Sequence, residues 1–183
     1  YVRKMERNLN GMLSLAEYYF PFFDQALERY NLPHELKYLP LIESALNPQA
    51  VSRVGATGLW QFMSGTAKIY NLNINSLVDE RKDPLKSSDA AARYLRDLYN
   101  IFGDWHLAIA AYNCGHKNIN KAVARSGGKT NFWEIYRYLP KETRGYIPAY
   151  IAAAYVMNHY EKHGLRPDAV DVPIETDTLM IDK

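Results

Sequence analysis

The chain places one glutamate, Glu43, at the end of an apolar run, then a polar loop, then the compact block Gly58-Leu59-Trp60-Gln61-Phe62-Met63. Leu36, Leu39 and Ile42 recur at helical spacing, so the helix that carries Glu43 buries one face. Asn47-Pro48 is expected to stop that helix, because a residue before proline avoids helical geometry. A carboxyl group at that point lies between apolar packing and solvent. Lost hydration disfavours its charged form and lifts its pKa from about 4.3. A carboxylic acid still protonated near neutral pH can act as a general acid. Position alone also fits a helix cap, so the residues around Glu43 must decide.

Further blocks put polar groups at the edges of buried elements. Glu43 is followed by Ser44. Tyr112 and Asn113, ahead of Gly115, end a stretch that is otherwise apolar. Polar groups so placed must be hydrogen-bonded or must face a cleft. A last block reads Glu142-Thr143-Arg144-Gly145-Tyr146.

The elements that must position these groups are all helical. Residues 1–20 read as an amphipathic lead-in helix, and Pro21 suits the first turn of a second helix ending near Asn31. Pro33 opens the helix of Glu43, and Pro40 predicts a kink or break one turn before it. Residues 47–58 form a loop in which Gly58 allows a close backbone approach or a positive φ. Ser64 is expected to cap a short helix through Tyr70, and Ser87 or Ser88 to cap one through Phe102 that Gly103 stops. Asp104 caps a buried helix, Trp105 to Asn113, and residues 116–124 and Phe132 to Tyr138 form shorter ones. Thr143 to His163 reads as a long apolar helix containing Pro148 and closed by Gly164. The class is all-α. The divisions expected are a helical extension over 1–31, a catalytic unit over 32–164 and an extended tail or linker over 165–183.

Composition narrows the function less than the motifs do. The chain has 183 residues, 48% of them hydrophobic, enough for one domain with a full core. A net charge of +2 gives no argument for nucleic acid. Its 15 tyrosines and three tryptophans suit carbohydrate grooves as well as cores. The single cysteine, Cys114, rules out an internal disulfide and reads as a small buried hydrophobe. His159 and His163 are four apart but lack a third ligand, so no metal is expected. Asp79, Glu80 and Asp83 read as a solvated charged loop. No apolar run is long enough to span a bilayer. The first residue is Tyr1 rather than methionine, which reads as a processed or trimmed fragment.

Taken in order and at these separations, the four blocks resemble the catalytic domain of the family 1 lytic transglycosylases, the SLT domain, over roughly Leu32 to Gly164. Asp83-Pro84, Ala91-Ala92, Tyr94-Leu95 and Asp104-Trp105 point to the membrane-bound D type within that family. The resemblance implies a lysozyme-like multi-helix fold with a saccharide groove. It implies that Glu43 is the single catalytic acid and base, with Ser44 beside it. By the same resemblance Ser52 contacts the sugar and Gln61 and Met63 line the groove floor. Tyr112 and Asn113 face Glu43, and Tyr146 bonds near it from the far helix. Trp60 stands where many relatives have methionine, and a changed groove wall is expected. The implied partner is the peptidoglycan glycan strand, with no cofactor, in the bacterial envelope. A monomer is expected, and a lipid anchor or glycan-binding repeats could lie outside this segment. The rivals are a hydrolytic muramidase of goose-lysozyme type, which needs a second carboxylate to position water, and a non-catalytic peptidoglycan-binding module.

Overall fold

The computed structural model describes residues 2–168. Its first helix, α1 (Val2–Arg29), runs straight through Pro21 instead of breaking there. An internal proline costs about 3 kcal/mol. Here Leu13, Ala16 and Tyr19 before it, and Phe23, Ala26 and Leu27 after it, are all buried. Each large apolar side chain so buried contributes about 1.5–3 kcal/mol, so the continuous apolar face outweighs the proline. Pro21 and Glu17, whose carbonyl loses its partner, lie on the exposed side. Ala16, Tyr19, Phe23, Ala26 and Leu27 therefore belong to the same core as the later helices.

A 3-10 turn, His34–Tyr38, leads into α2 (Leu39–Ser44). The break expected at Pro40 is present, and the proline sits in the first turn of α2, where it is tolerated. The helix α3 (Ser64–Ile69) begins at Ser64 itself, with Met63 at the cap position and no side-chain cap bond. Next comes α4 (Pro84–Phe102), which starts earlier than expected. Asp83 is its cap, accepting from the Leu85 and Lys86 amides at 2.9 Å each. An aspartate followed by proline is a stronger start than a serine four or five residues later. Ser87 and Ser88 are instead buried and bond back to the Asp83 and Pro84 carbonyls. Gly103 ends α4 in the left-handed conformation (φ 65°).

Asp104 caps α5 (Trp105–Cys114) by accepting from the Leu107 amide at 2.9 Å. Leu107 to Ala111 are all buried, and α5 packs against α4, the following α6 (His116–Arg125) and the last helix. The short α7 (Phe132–Ile135) continues as a 3-10 turn, Tyr136–Tyr138. The last helix, α8 (Lys141–His159), starts two residues before Thr143, and its final turn is the 3-10 stretch Tyr160–His163, closed by Gly164 (φ 70°). Beyond it Leu165 is buried, the Arg166 amide donates to Asn10, and Ser14 donates to the Asp168 carbonyl. The tail thus begins packed on α1. Of the extended tail expected over 165–183, residues 169–183 lie outside the described residues.

Candidate active site

The end of α2 sets the site. The helix stops at Ser44 because Ala45 (φ 51°) and Leu46 (φ 62°) are both left-handed, ahead of the stop expected at Asn47-Pro48. Left-handed backbone costs about 1–2 kcal/mol per non-glycine residue. Complete burial of Leu46 offsets that cost. Asn47 instead makes a local turn, accepting from the Gln49 amide at 2.8 Å. The abrupt stop leaves Glu43 half-buried on the last turn of α2, facing a cavity of about 490 Å³. Ser52, Gln61, Met63, Tyr112, Asn113 and Tyr146 line the same cavity, and so do Ile42, Val54, Tyr94 and Glu142.

Burial is the main cause that pushes the Glu43 carboxyl up to about 7. The Tyr146 hydroxyl, which donates to Glu43 Oε1, pulls the other way, and the nearby Glu142 charge adds a smaller upward push. The net position is that of a group able both to give and to take a proton near neutral pH. Tyr146 donates to Oε1, and among the described residues no hydrogen bond is made to Oε2. Tyr146 itself stays protonated, because burial and the adjacent carboxyl raise its pKa well above the usual phenol value.

The opposite wall is the segment from Ala50 to Met63. Paired backbone bonds between Thr57 and Phe62, both 3.1 Å, close it into a tight turn. Gly58 (φ 85°) lies where a Cβ would stand 1.9 Å from the Arg81 carbonyl, so no other residue fits. Gln61 (φ 49°) turns its amide inward to donate to the Gly58 carbonyl at 2.9 Å and the Ala50 carbonyl at 3.3 Å. Both amide protons are committed, and the amide oxygen remains as an acceptor. Arg81 clamps the wall from behind, donating to the Gly55 carbonyl at 3.0 Å and the Phe62 carbonyl at 3.1 Å. Asp79 holds that guanidinium through two bonds of 2.9 and 2.7 Å, which keep the Asp79 carboxyl below its usual pKa.

The charged stretch read as solvated is therefore structural. Arg81 and Glu80 are buried, and Glu80 bonds the Asn73 amide and Lys86. Arg81 escaped the sequence reading because run composition does not reveal which carbonyls a side chain will reach.

Other residues settle as follows. The Ser44 hydroxyl bonds the Leu59 carbonyl at 2.9 Å and the Pro40 carbonyl at 3.1 Å, so it ties α2 to the wall and does not line the cavity. Ser52 lines the cavity while its hydroxyl accepts from the Ala56 amide at 3.0 Å. Tyr112 donates to the Trp60 carbonyl at 2.7 Å, and its ring packs against Tyr94 and Phe62 as an aromatic base under the cavity. The Asn113 amide oxygen accepts from Thr143 at 2.9 Å, which joins α5 to α8 below Glu43. Trp60 is a correction: it is buried, edge-on to Phe23 of α1, and donates to Ser88 at 2.9 Å. It offers the cavity no stacking face. Burial raises the Cys114 thiol, in keeping with an inert side chain. Among the described residues no three His, Cys, Asp or Glu side chains gather as metal ligands, and no helix is long and apolar enough to cross a membrane.

The family model described as the transglycosylase SLT domain matches residues 20–135. The chain belongs to this family. Across 89% of its length it is 34% identical to the membrane-bound lytic murein transglycosylase D of Escherichia coli K12, of which it covers 36%. It is also 34% identical over 116 residues to the soluble lytic murein transglycosylase of that strain, of which it covers 18%. The crystal structure of the 70 kDa soluble lytic transglycosylase of Escherichia coli superposes with a TM-score of 0.62 and 28% identity, over 75% of this chain and 24% of that one. The chain thus spans about a third or less of the length of these relatives. These matches bear out the expected all-α, lysozyme-like class. The SLT match starts inside α1, at residue 20, and so takes in about the last third of that helix.

Proposed function

We propose that this SLT domain is a lytic transglycosylase that cleaves the β-1,4 bond from N-acetylmuramic acid to N-acetylglucosamine in peptidoglycan without consuming water. One observation carries the reading: the half-buried carboxyl of Glu43, lifted to about 7, faces a polar cavity large enough for sugar rings. Protonated Glu43 gives its proton to the glycosidic oxygen as the bond to the muramyl anomeric carbon breaks. The neighbouring N-acetyl group shields the developing positive charge, as in other substrate-assisted cleavages. The muramyl 6-hydroxyl oxygen then bonds to that carbon, and the Glu43 carboxylate takes up the hydroxyl proton. The products are a free 4-hydroxyl and a 1,6-anhydro ring, and Glu43 ends protonated as it began.

The other residues support these steps without exchanging protons. Tyr146 steadies the carboxylate form of Glu43. Asn113, the Gln61 amide oxygen and Ser52 offer polar contacts to the sugars, and Met63 and Val54 supply apolar rim. The names of the relatives fit a location in the bacterial envelope, facing the cell wall.

A second reading rests on Glu142, an exposed carboxylate on the same cavity. It could hold a water and turn the site into a hydrolase. Digestion of purified sacculi separates the two. Muropeptides lighter by one water than hydrolytic products support the transglycosylase, and fully hydrated reducing ends reject it. Loss of both product types in Glu43→Gln is expected. Sugar binding with no turnover by the unaltered protein would leave a binding module.

A further inference from the structure

On the surface, α7 and the 3-10 turn that continues it carry two aromatic rings that the site does not use. Trp133 is 54% exposed and Tyr136 is 37% exposed. Their planes lie within 22° of parallel, with centroids 6.3 Å apart. Both are braced from below by buried Phe132, which meets them edge-on at 5.0 and 6.0 Å. Asn131 caps the short helix through the Trp133 amide at 3.0 Å, and Ile135 anchors its inner face. The pair is therefore held in place before any ligand arrives, so little side-chain freedom would be lost on binding.

The pair is also coupled to the groove. Tyr136 lies six positions before Glu142 on the cavity rim, a span of at most ~22 Å even if fully extended. Arg144, between the cavity residues Glu142 and Tyr146, ties that link down by donating to the Leu139 and Arg137 carbonyls, both at 3.0 Å.

We propose that Trp133 and Tyr136 form a stacking platform for a sugar stretch of the same glycan strand that occupies the groove. This rests on the glycan reading of the site given above. Flat aromatic faces suit the C–H faces of pyranose rings, and the polar groups beside them suit sugar hydroxyls. Those groups are Lys129, paired with Glu134 at 2.6 Å, and Arg137, bonded to the Tyr138 hydroxyl at 2.7 Å. A second copy of the chain fits less well. Two aromatic side chains bury roughly 500 Å² at most, against roughly 800 Å² per partner in a stable interface. Mixed charge around so small an apolar spot also disfavours a membrane surface.

The test measures binding to Glu43→Gln protein of two probes, long peptide-free glycan strands and a tetrasaccharide of the same repeat that fills the groove alone. Adding Trp133→Ala or Tyr136→Ala should weaken strand binding roughly tenfold and leave tetrasaccharide binding unchanged, with Trp133→Phe restoring most of the loss. Less than a twofold change for strands, or equal losses for both probes, overturns the platform while leaving the groove reading intact. Failure of Glu43→Gln to bind either probe overturns both. Self-association or vesicle binding that Trp133→Ala abolishes, without a strand-specific loss, assigns the patch to another occupant.

Discussion

Glu43→Gln should make the protein more stable at alkaline pH and leave its stability unchanged in acid. In the folded protein the Glu43 carboxyl titrates near 7, against 4.5 for an unhindered glutamate, and burial is the main reason. Between those values the folded state holds a proton that the unfolded chain has released. Stability falls with rising pH wherever the folded state binds more protons. The penalty is absent below about pH 4.5, reaches full size near pH 7 and stays constant above it. The gap between 4.5 and about 7, at about 1.36 kcal/mol per pH unit, bounds it at about 3 kcal/mol. Solvent reaching the carboxyl through the cavity lowers that to about 2 kcal/mol. Glutamine keeps the shape and an oxygen for the Tyr146 hydroxyl, so the difference reports the charge. For a domain of this size the gain raises Tm by about 4–8 °C. Calorimetric melts of both proteins from acid to alkaline pH should start together and diverge between pH 5 and 7, the variant ending higher. Parallel curves, or a wild type that gains on the variant with rising pH, would refute the claim that this carboxyl is held protonated by its surroundings.

Other substitutions probe the surrounding parts. Tyr146→Phe removes the hydroxyl that lowers the Glu43 pKa, so the alkaline limb of sacculus-clearing activity should move up by about one pH unit while the maximal rate falls; an unmoved limb counts against the contact. Gly58→Ala meets both the Arg81 carbonyl and a positive φ, and should lower stability by at least about 2 kcal/mol, read as a fall in melting temperature; an unchanged Tm rejects the close approach. Arg81→Met frees the Gly55 and Phe62 carbonyls and leaves Asp79 unpaired, so stability should drop by about 3 kcal/mol with faster amide exchange over residues 55–62, and unaltered exchange would show that the clamp is idle. Ser44→Ala should cost about 1 kcal/mol and leave most activity, whereas a loss of 100-fold or more would mean that this hydroxyl acts on the substrate.

Local chemistry wrote part of this molecule into its sequence. Apolar spacing, caps and glycine stops mark most of the helices, because each depends on groups within a turn or two. Asp104 and Gly115 bound α5, and Gly103 ends α4, as their residue types require. Where two local signals compete, the reading slips: Asp83-Pro84 outranked Ser87 and Ser88. At Pro21 a local rule lost to tertiary burial, since six buried side chains along α1 outweigh one missing hydrogen bond.

The site divides in the same way. Glu43, Gln61, Asn113 and Tyr146 lie in blocks that set polar groups at the edges of buried elements, but their roles, and Met63 altogether, come from the resemblance to the SLT domain; the cavity gathers all five. What each atom touches could not be read. The Ser44 hydroxyl and the Trp60 ring face inward, Arg81 reaches back to carbonyls 19 and 26 residues earlier, and Tyr112 gives its proton to Trp60. The same holds for the ionisation of Glu43. Any glutamate at a helix end can be written into a chain, but its proton affinity depends on how much water the packed walls remove and which hydroxyl lies against it, and only the folded chain brings Tyr146 across 103 residues to do so.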